Sequence, residues 1–268
     1  MRTGIFLDSN EAYHEEKHIG STSLKQMAIS PAHFNEALNG PKKESKSFDE
    51  GQVVHSVLLE QSLDGFIKRP DGLDARTKEG KAKLAELEAT GKKVIASDVF
   101  DSLERRLTAF VNSTESMKLY NGAEIEKSHY AKDPSTGLFI KCRPDIYSNG
   151  KITDLKTTSN MVGFERQIYS YGYHIQCGLY SIVTELTTGS EVSEFNFIVQ
   201  EKSAPFGLKV FSFSKSEVDF CKSKARELLN RASVCMSENK FPSYDDVKNR
   251  LAIPTWVVTG EFSFDEAI

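Results

Sequence analysis

The tightest constraint on this chain lies between residues 138 and 157. Two runs of strand character, Leu138 to Tyr147 and Lys151 to Thr157, are separated by Ser148-Asn149-Gly150. Asn-Gly between such runs is a strong short-range hairpin signal, so the two are predicted to pair antiparallel. Residues two apart on a strand face the same side, about 7 Å apart, so Asp154 and Lys156 project together. The hairpin brings Asp145, from Pro144-Asp145 on the first strand, alongside them. Two carboxylates and an ammonium on one sheet surface suit a divalent-metal site that cleaves phosphodiesters. Hard oxygens hold Mg2+ or Mn2+, the metal lowers the pKa of a bound water, and the lysine orients that water or neutralises developing charge. Taken alone, the same tripeptide also fits a solvated strand face of alternating charge.

The remaining sequence narrows the classes. The 268 residues, 39% hydrophobic and 27% charged, fit a soluble globular chain with a sizeable core. No apolar run approaches the roughly 18 residues of a membrane span, and Ile5-Phe6-Leu7 is too short an apolar stretch for a signal peptide, so a cytoplasmic protein with no membrane partner is expected. Cys142, Cys177, Cys221 and Cys235 are widely spaced without a C-x-x-C pair, which argues against zinc and against a disulfide framework. Core packing is the expected role of Cys142 and Cys177. The net charge of −4 speaks against a protein that coats DNA electrostatically, unless binding is confined to a channel where local charge decides. One segment, Phe66 to Lys93, is locally basic and includes Arg76, Lys78 and Lys81 as candidate phosphate contacts; it reads equally as a solvated loop and helix.

Along the chain, Ser30-Pro31 opens a helix through Leu38, closed by Gly40-Pro41. Further helices are predicted over about Ser47 to Gln61, Arg76 to Ala89, and from a Ser97-Asp98 cap through Thr114. The period then changes. Glu124 to Ala131, Leu138 to Tyr147 and Lys151 to Thr157 read as a three-strand meander. A long helix follows over about Met161 to Leu186, with a kink at Gly172 and a core stripe of Ile175, Leu179, Ile182 and Leu186. Strands near Val192 to Gln200 and Gly207 to Phe213, then a helix from Ser214 to Glu238, complete an α/β fold with a mixed central sheet flanked by helices. A single domain over 1–268 is expected, with a mainly helical part to about 115, an αβ core over 120–240 and a tail over 241–268.

Three further features accompany the acidic pair. His55 lies in an apolar helix one turn after Gly51, which fits a ligand as well as a satisfied core histidine. Glu124 opens the first strand as a further carboxylate or a plain edge acid. Gln176 and Tyr180 stand four apart beside the core stripe, where buried polar groups need partners.

In order, His55, Glu124, Pro144-Asp145, Asp154-x-Lys156 and Gln176-x-x-x-Tyr180 resemble the PD-(D/E)XK nucleases of the RecB-like branch. Within it, the chain is most similar to the exonuclease VIII (RecE) family. The matching stretches are Ser21 to Leu24, Phe48-Asp49-Glu50-Gly51-x-x-x-His55, Arg76 to Lys81, Tyr173-His174-x-Gln176 and Ile253-Pro254-x-Trp256. The resemblance implies a restriction-endonuclease-like core and a Mg2+-dependent exonuclease degrading one strand of linear duplex DNA from 5′ to 3′. It implies Asp145, Asp154 and the Leu155 carbonyl on the catalytic metal, His55 on a second one, and Lys156 on the water. Gln176 and Tyr180 would contact the substrate or orient the site. A RecT-like annealing partner, a ring-shaped homo-oligomer and a phage or prophage origin in a bacterial host cell follow from the same source. Iron–sulfur relatives of the CRISPR-adaptation type carry a C-terminal cysteine cluster that is missing here, so no iron–sulfur cluster is expected. An endonuclease and a catalytically silent DNA-binding or assembly protein on the same fold are the competing readings.

Overall fold

The computed structural model describes residues 1–41, 50–244 and 251–253. Phe48, Asp49, Pro254 and Trp256, which entered the resemblance, lie outside them. The elements in chain order are β1 (Gly4–Phe6), α1 (Asn10–Glu15), α2 (Ser21–Ile29), α3 (Pro31–Asn39), α4 (Glu50–Glu60), β2 (Phe66–Lys68) and α5 (Lys78–Glu88). Then come β3 (Lys93–Ile95), α6 (Ser97–Val111), α7 (Thr114–Tyr120), β4 (Glu124–Ile125), β5 (Ser128–Lys132), β6 (Phe139–Cys142) and β7 (Ile146–Ser148). The chain continues through β8 (Lys151–Thr158), α8 (Phe164–Ser170), α9 (Tyr173–Thr188), β9 (Glu194–Glu201), β10 (Leu208–Phe213) and α10 (Lys215–Glu238).

The central sheet has the order β10-β9-β8-β7-β4. Only β8 and β9 are parallel in it, joined by the α8–α9 crossover, as a parallel pair requires. The alternation of β8 and β9 sorts two cores. Ile152, Phe195, Phe197 and Val199 meet Leu24, Phe34, Ile175, Leu179 and Leu229 from α2, α3, α9 and α10. Leu155 and Ile198 meet Val53, Val57, Leu58, Leu103 and Phe110 from α4 and α6 on the other side. The mixed sheet flanked by helices is therefore present, with Asp154 and Lys156 on the α9 face.

The expected three-strand meander is not continuous. Its first two strands each break in the middle and pass from one sheet to another. β5 and β6 join β1 in a separate three-stranded sheet, while β4 and β7 belong to the central one. The breaks are opposite each other: Glu126 has φ +49° and its N–H donates to the Asp145 carbonyl at 3.1 Å. Pro144 carries no N–H for a ladder, so residues 143–145 leave the strand there. Pro144-Asp145 is thus a corner rather than a strand.

Helix ends differ in similar ways. The long helix is two, because Gly172 adopts φ +66° between α8 and α9. Its last stripe residue, Leu186, is 41% exposed. The helix opened by Ser97 has Ala96 as its cap and stops at Val111, since Ser113 caps α7 by accepting from the Ser116 N–H. Ser30 caps α3, and Ser214 with Glu217 forms a capping box on α10. All four cysteines are buried and free. No helix among the described residues is long and apolar enough to cross a membrane.

Candidate active site

Three elements, β8, α4 and α9, together with the corner before β7, deliver the polar cluster. The β8 alternation places Asp154 and Lys156 on the α9 face, where the two side chains form an ion pair. Asp145 arrives from the corner before β7. The ladder between β7 and β8 ends with Ile146 opposite Thr153, so the next stretch of β8 has a free edge on that side. The Asp145 carboxylate takes the Leu155 N–H there, Oδ2 to N at 2.6 Å. A strand residue's N–H and C=O face the same edge, so the Leu155 carbonyl also lies on this edge. His55, from α4 on the opposite layer, places Nε2 2.9 Å from Asp145 Oδ2. Gln176 on α9 donates from Nε2 to Asp154 Oδ1 at 2.6 Å. Tyr180, one turn further, is buried within electrostatic reach of Asp154, Asp145 and the Gln176 amide.

The two carboxylates are buried and pushed in opposite directions. Burial would raise Asp145, but His55, Lys156 and the Leu155 N–H outweigh it and hold the group below the usual carboxylate range. Burial raises Asp154, and the Asp145 charge adds to this against the pull of Lys156. Burial would lower the Lys156 ammonium, but Asp154 and Asp145 prevail and raise it. Desolvation likewise opposes the His55 imidazolium, yet Asp145 lifts it to about 9. One carboxylate is thus secured as an anion, and Lys156 is secured as a cation.

The donor set is that of a hard divalent ion: two buried carboxylates and a main-chain carbonyl on a free strand edge, with an imidazole beside them. Among the described residues no three His, Cys, Asp or Glu side chains converge on one point. The reason is visible: His55 is bonded to Asp145, and Asp154 is turned to Gln176 and Lys156. The residues fit the ion chemically once these internal pairs part.

Glu124 is not part of this cluster. It pairs opposite Tyr147 in the ladder, is exposed, and holds Lys127 at 3.0 Å. Arg76, Lys78 and Lys81 lie on and just before the exposed start of α5, where Arg76 is bound by Asp74 at 3.1 Å. Lys68 is likewise bound by Asp101, and Lys83 by Glu86. One further side chain stands here without any mark in the sequence: Lys25 of α2 lies over the Tyr173 ring close to Lys156. A lone lysine after Leu24 carries no local signal of that placement.

The chain matches the family described as PDDEXK-like domain of unknown function (DUF3799) over residues 20–248. Comparison with curated proteins gives no match. Among solved structures, an exonuclease candidate from Eubacterium rectale superposes with TM-score 0.60 at 16% identity, covering 96% of this chain and 100% of that one. The alkaline exonuclease LHK-Exo from Laribacter hongkongensis has 12% identity and TM-score 0.28 over 70% of this chain and 97% of its own. From the span matched by the family's own description, residues 20–248, the chain belongs to the PDDEXK-like domain family.

Proposed function

We propose that this chain is a divalent-metal-dependent exodeoxyribonuclease that degrades linear double-stranded DNA from 5′ to 3′, leaving 3′ single strands for annealing. The observation that carries the reading is that Asp145, bound at the free edge of β8, meets the Asp154–Lys156 pair on the α9 face of the same strand. Asp145, Asp154 and the Leu155 carbonyl would hold the catalytic ion, Mg2+ with Mn2+ as a substitute, and His55 would serve a second. Such an ion supplies a water of lowered pKa and a Lewis acid at the phosphate. Lys156, kept protonated by the aspartates, orients water and offsets charge rather than acting as a base. Gln176 fixes the Asp154 carboxylate, and Tyr180 stands behind that amide. The polarity, the ring-shaped homo-oligomer, the RecT-like partner and the bacterial cytoplasm rest on the resemblance to the exonuclease VIII family.

End-labelled linear duplex and covalently closed circles, each with Mg2+ or with chelator, test the reading. Only the linear substrate with metal should be digested, from its 5′ ends. Asp145→Ala, Asp154→Ala and Lys156→Ala should each reduce cleavage more than about 100-fold, roughly 2.7 kcal/mol of barrier, and His55→Ala should lower both cleavage and metal affinity. Activity within about tenfold of wild type in either aspartate variant rejects the site. Rapid nicking of circles makes the protein an endonuclease, and DNA binding without cleavage makes it a silent binding protein.

A further inference from the structure

The α9 face of the site holds a cation that neither aspartate needs. Lys25 is half-buried on α2, and its stem crosses the break between α8 and α9. Gly172 leaves the room: a Cβ there would stand 3.1 Å from Lys25 Cγ. The Lys25 ammonium ends 4.9 Å from the Tyr173 ring centroid, and the Lys156 ammonium lies 4.8 Å from the same centroid. Tyr173 is thus shared by two cations. Lys156 already answers Asp154 and His55 answers Asp145. Lys25 forms no ion pair among the described residues.

Holding a second partly desolvated ammonium beside the first is unfavourable, and the ring offers only a modest return. Burial and the neighbouring Lys156 pull Lys25 down to about 8, with Asp154 opposing. An anion within reach of both ammonium groups offsets that repulsion. A DNA strand entering the site brings a phosphate at every nucleotide, so cleavage at Lys156 places a neighbouring phosphate within reach on the same side of the sheet.

We propose that Lys25 binds a backbone phosphate next to the scissile one on the strand being cut, so that α2 and the α8–α9 break form the wall along which that strand is held. The inference rests on the nuclease reading and adds a substrate contact to it. Tyr173 acts as the shared platform that fixes both ammonium groups. Lys25 takes no part in bond making.

The test compares wild type with Lys25→Gln, Lys25→Met and Lys25→Arg. Cleavage of linear duplex is followed against DNA concentration, and duplex binding is followed by fluorescence anisotropy in chelator over a range of salt. Lys25→Gln and Lys25→Met should raise KM and the dissociation constant roughly tenfold, the scale of one lost charge-assisted contact, with kcat within about twofold. The salt dependence should flatten by about 0.7–0.9 of a unit, one phosphate contact. Lys25→Arg should restore both. Met keeps the stem over Gly172, so it reports on charge alone should Gln disturb folding. Lys25→Met with parental KM and salt slope overturns the inference while leaving the nuclease reading intact, and so does a loss confined to kcat. A wild-type protein that neither binds nor cuts DNA removes the nuclease reading and this contact together.

Discussion

Gln176→Met separates an orienting role for Gln176 from a packing role. Gln176 is 6% exposed and donates at 2.6 Å to the carboxylate of Asp154, itself 2% exposed. Methionine is close in size to glutamine, so the swap conserves volume and removes the donor. A hydrogen bond to a charged group contributes about 1.5–3 kcal/mol, and an abandoned buried oxygen retains its desolvation penalty. The metal-free variant should therefore lose about 2 kcal/mol at pH 7, roughly a thirtyfold shift in the folding equilibrium. Urea unfolding in chelator measures it, at an unchanged denaturant slope. The loss belongs to the pair, so in an Asp154→Ala background the same substitution should stay within about 0.5 kcal/mol of neutral. Cleavage should fall as well, because Asp154 loses its fixed orientation. A loss below about 0.5 kcal/mol, or an equal loss in both backgrounds, refutes the claim that Gln176 acts through Asp154.

Two further outcomes follow from other parts of the molecule. Burial takes the His129 imidazole down to about 4, with Glu124 opposing and Lys127 adding to the shift; Nδ1 meets Thr187 Oγ1 at 2.7 Å, and the buried Nε2 finds no partner among the described residues. The unfolded histidine gains its proton near 6.5 and the folded one only near 4, so stability should decline as pH falls through that window, by up to about 3 kcal/mol; His129→Asn should flatten the decline, and an unchanged pH slope in urea titrations counts against it. Replacing Arg76, Lys78 and Lys81 together by Ala should weaken duplex binding and flatten its salt dependence by about one unit per lost contact. The Asp74 clasp on Arg76 makes that residue the smallest contributor, and a triple variant matching the parent in affinity and salt slope assigns α5 to the solvent.

What the sequence made legible was local. Asn149 and Gly150 have φ +48° and +75°, the pair of positive angles that a two-residue hairpin turn selects, and the turn signal located the hairpin correctly. The period of two then placed Asp154 beside Lys156. Ser30-Pro31 and Ser214 with Glu217 are cap chemistry that requires no tertiary information. The sheet exchange at Glu126 and Asp145 was not legible. Strand propensity reports that a residue fits a pleated surface, not which sheet it joins. Gly172 signalled a disturbance, but neither the φ of +66° that divides one helix into two nor the Lys25 stem packed against that break is written in the local sequence. Lys25 was invisible for the same reason: its place depends on an element more than 140 positions away in sequence.

The proline of Pro144-Asp145 explains why the two aspartates can coexist. Continuing the register of Ile146 opposite Thr153 would set Asp145 opposite Asp154 and Pro144 opposite Leu155. Directly opposed residues share a face at about 5 Å, so both carboxylates would stand together on the α9 side, with like charges destabilising the pair. Pro144 has no N–H to continue that ladder, and the chain turns out of the sheet instead. Asp145 then meets β8 from its edge. Each carboxylate consequently acquires its own cation from a different layer: His55 of α4 for Asp145, and Lys156 of β8, with the Gln176 amide of α9, for Asp154. The same departure frees the edge of β8 at Leu155. A corner that first looks like a defect in a strand is therefore what lets two buried acids face one site from two directions.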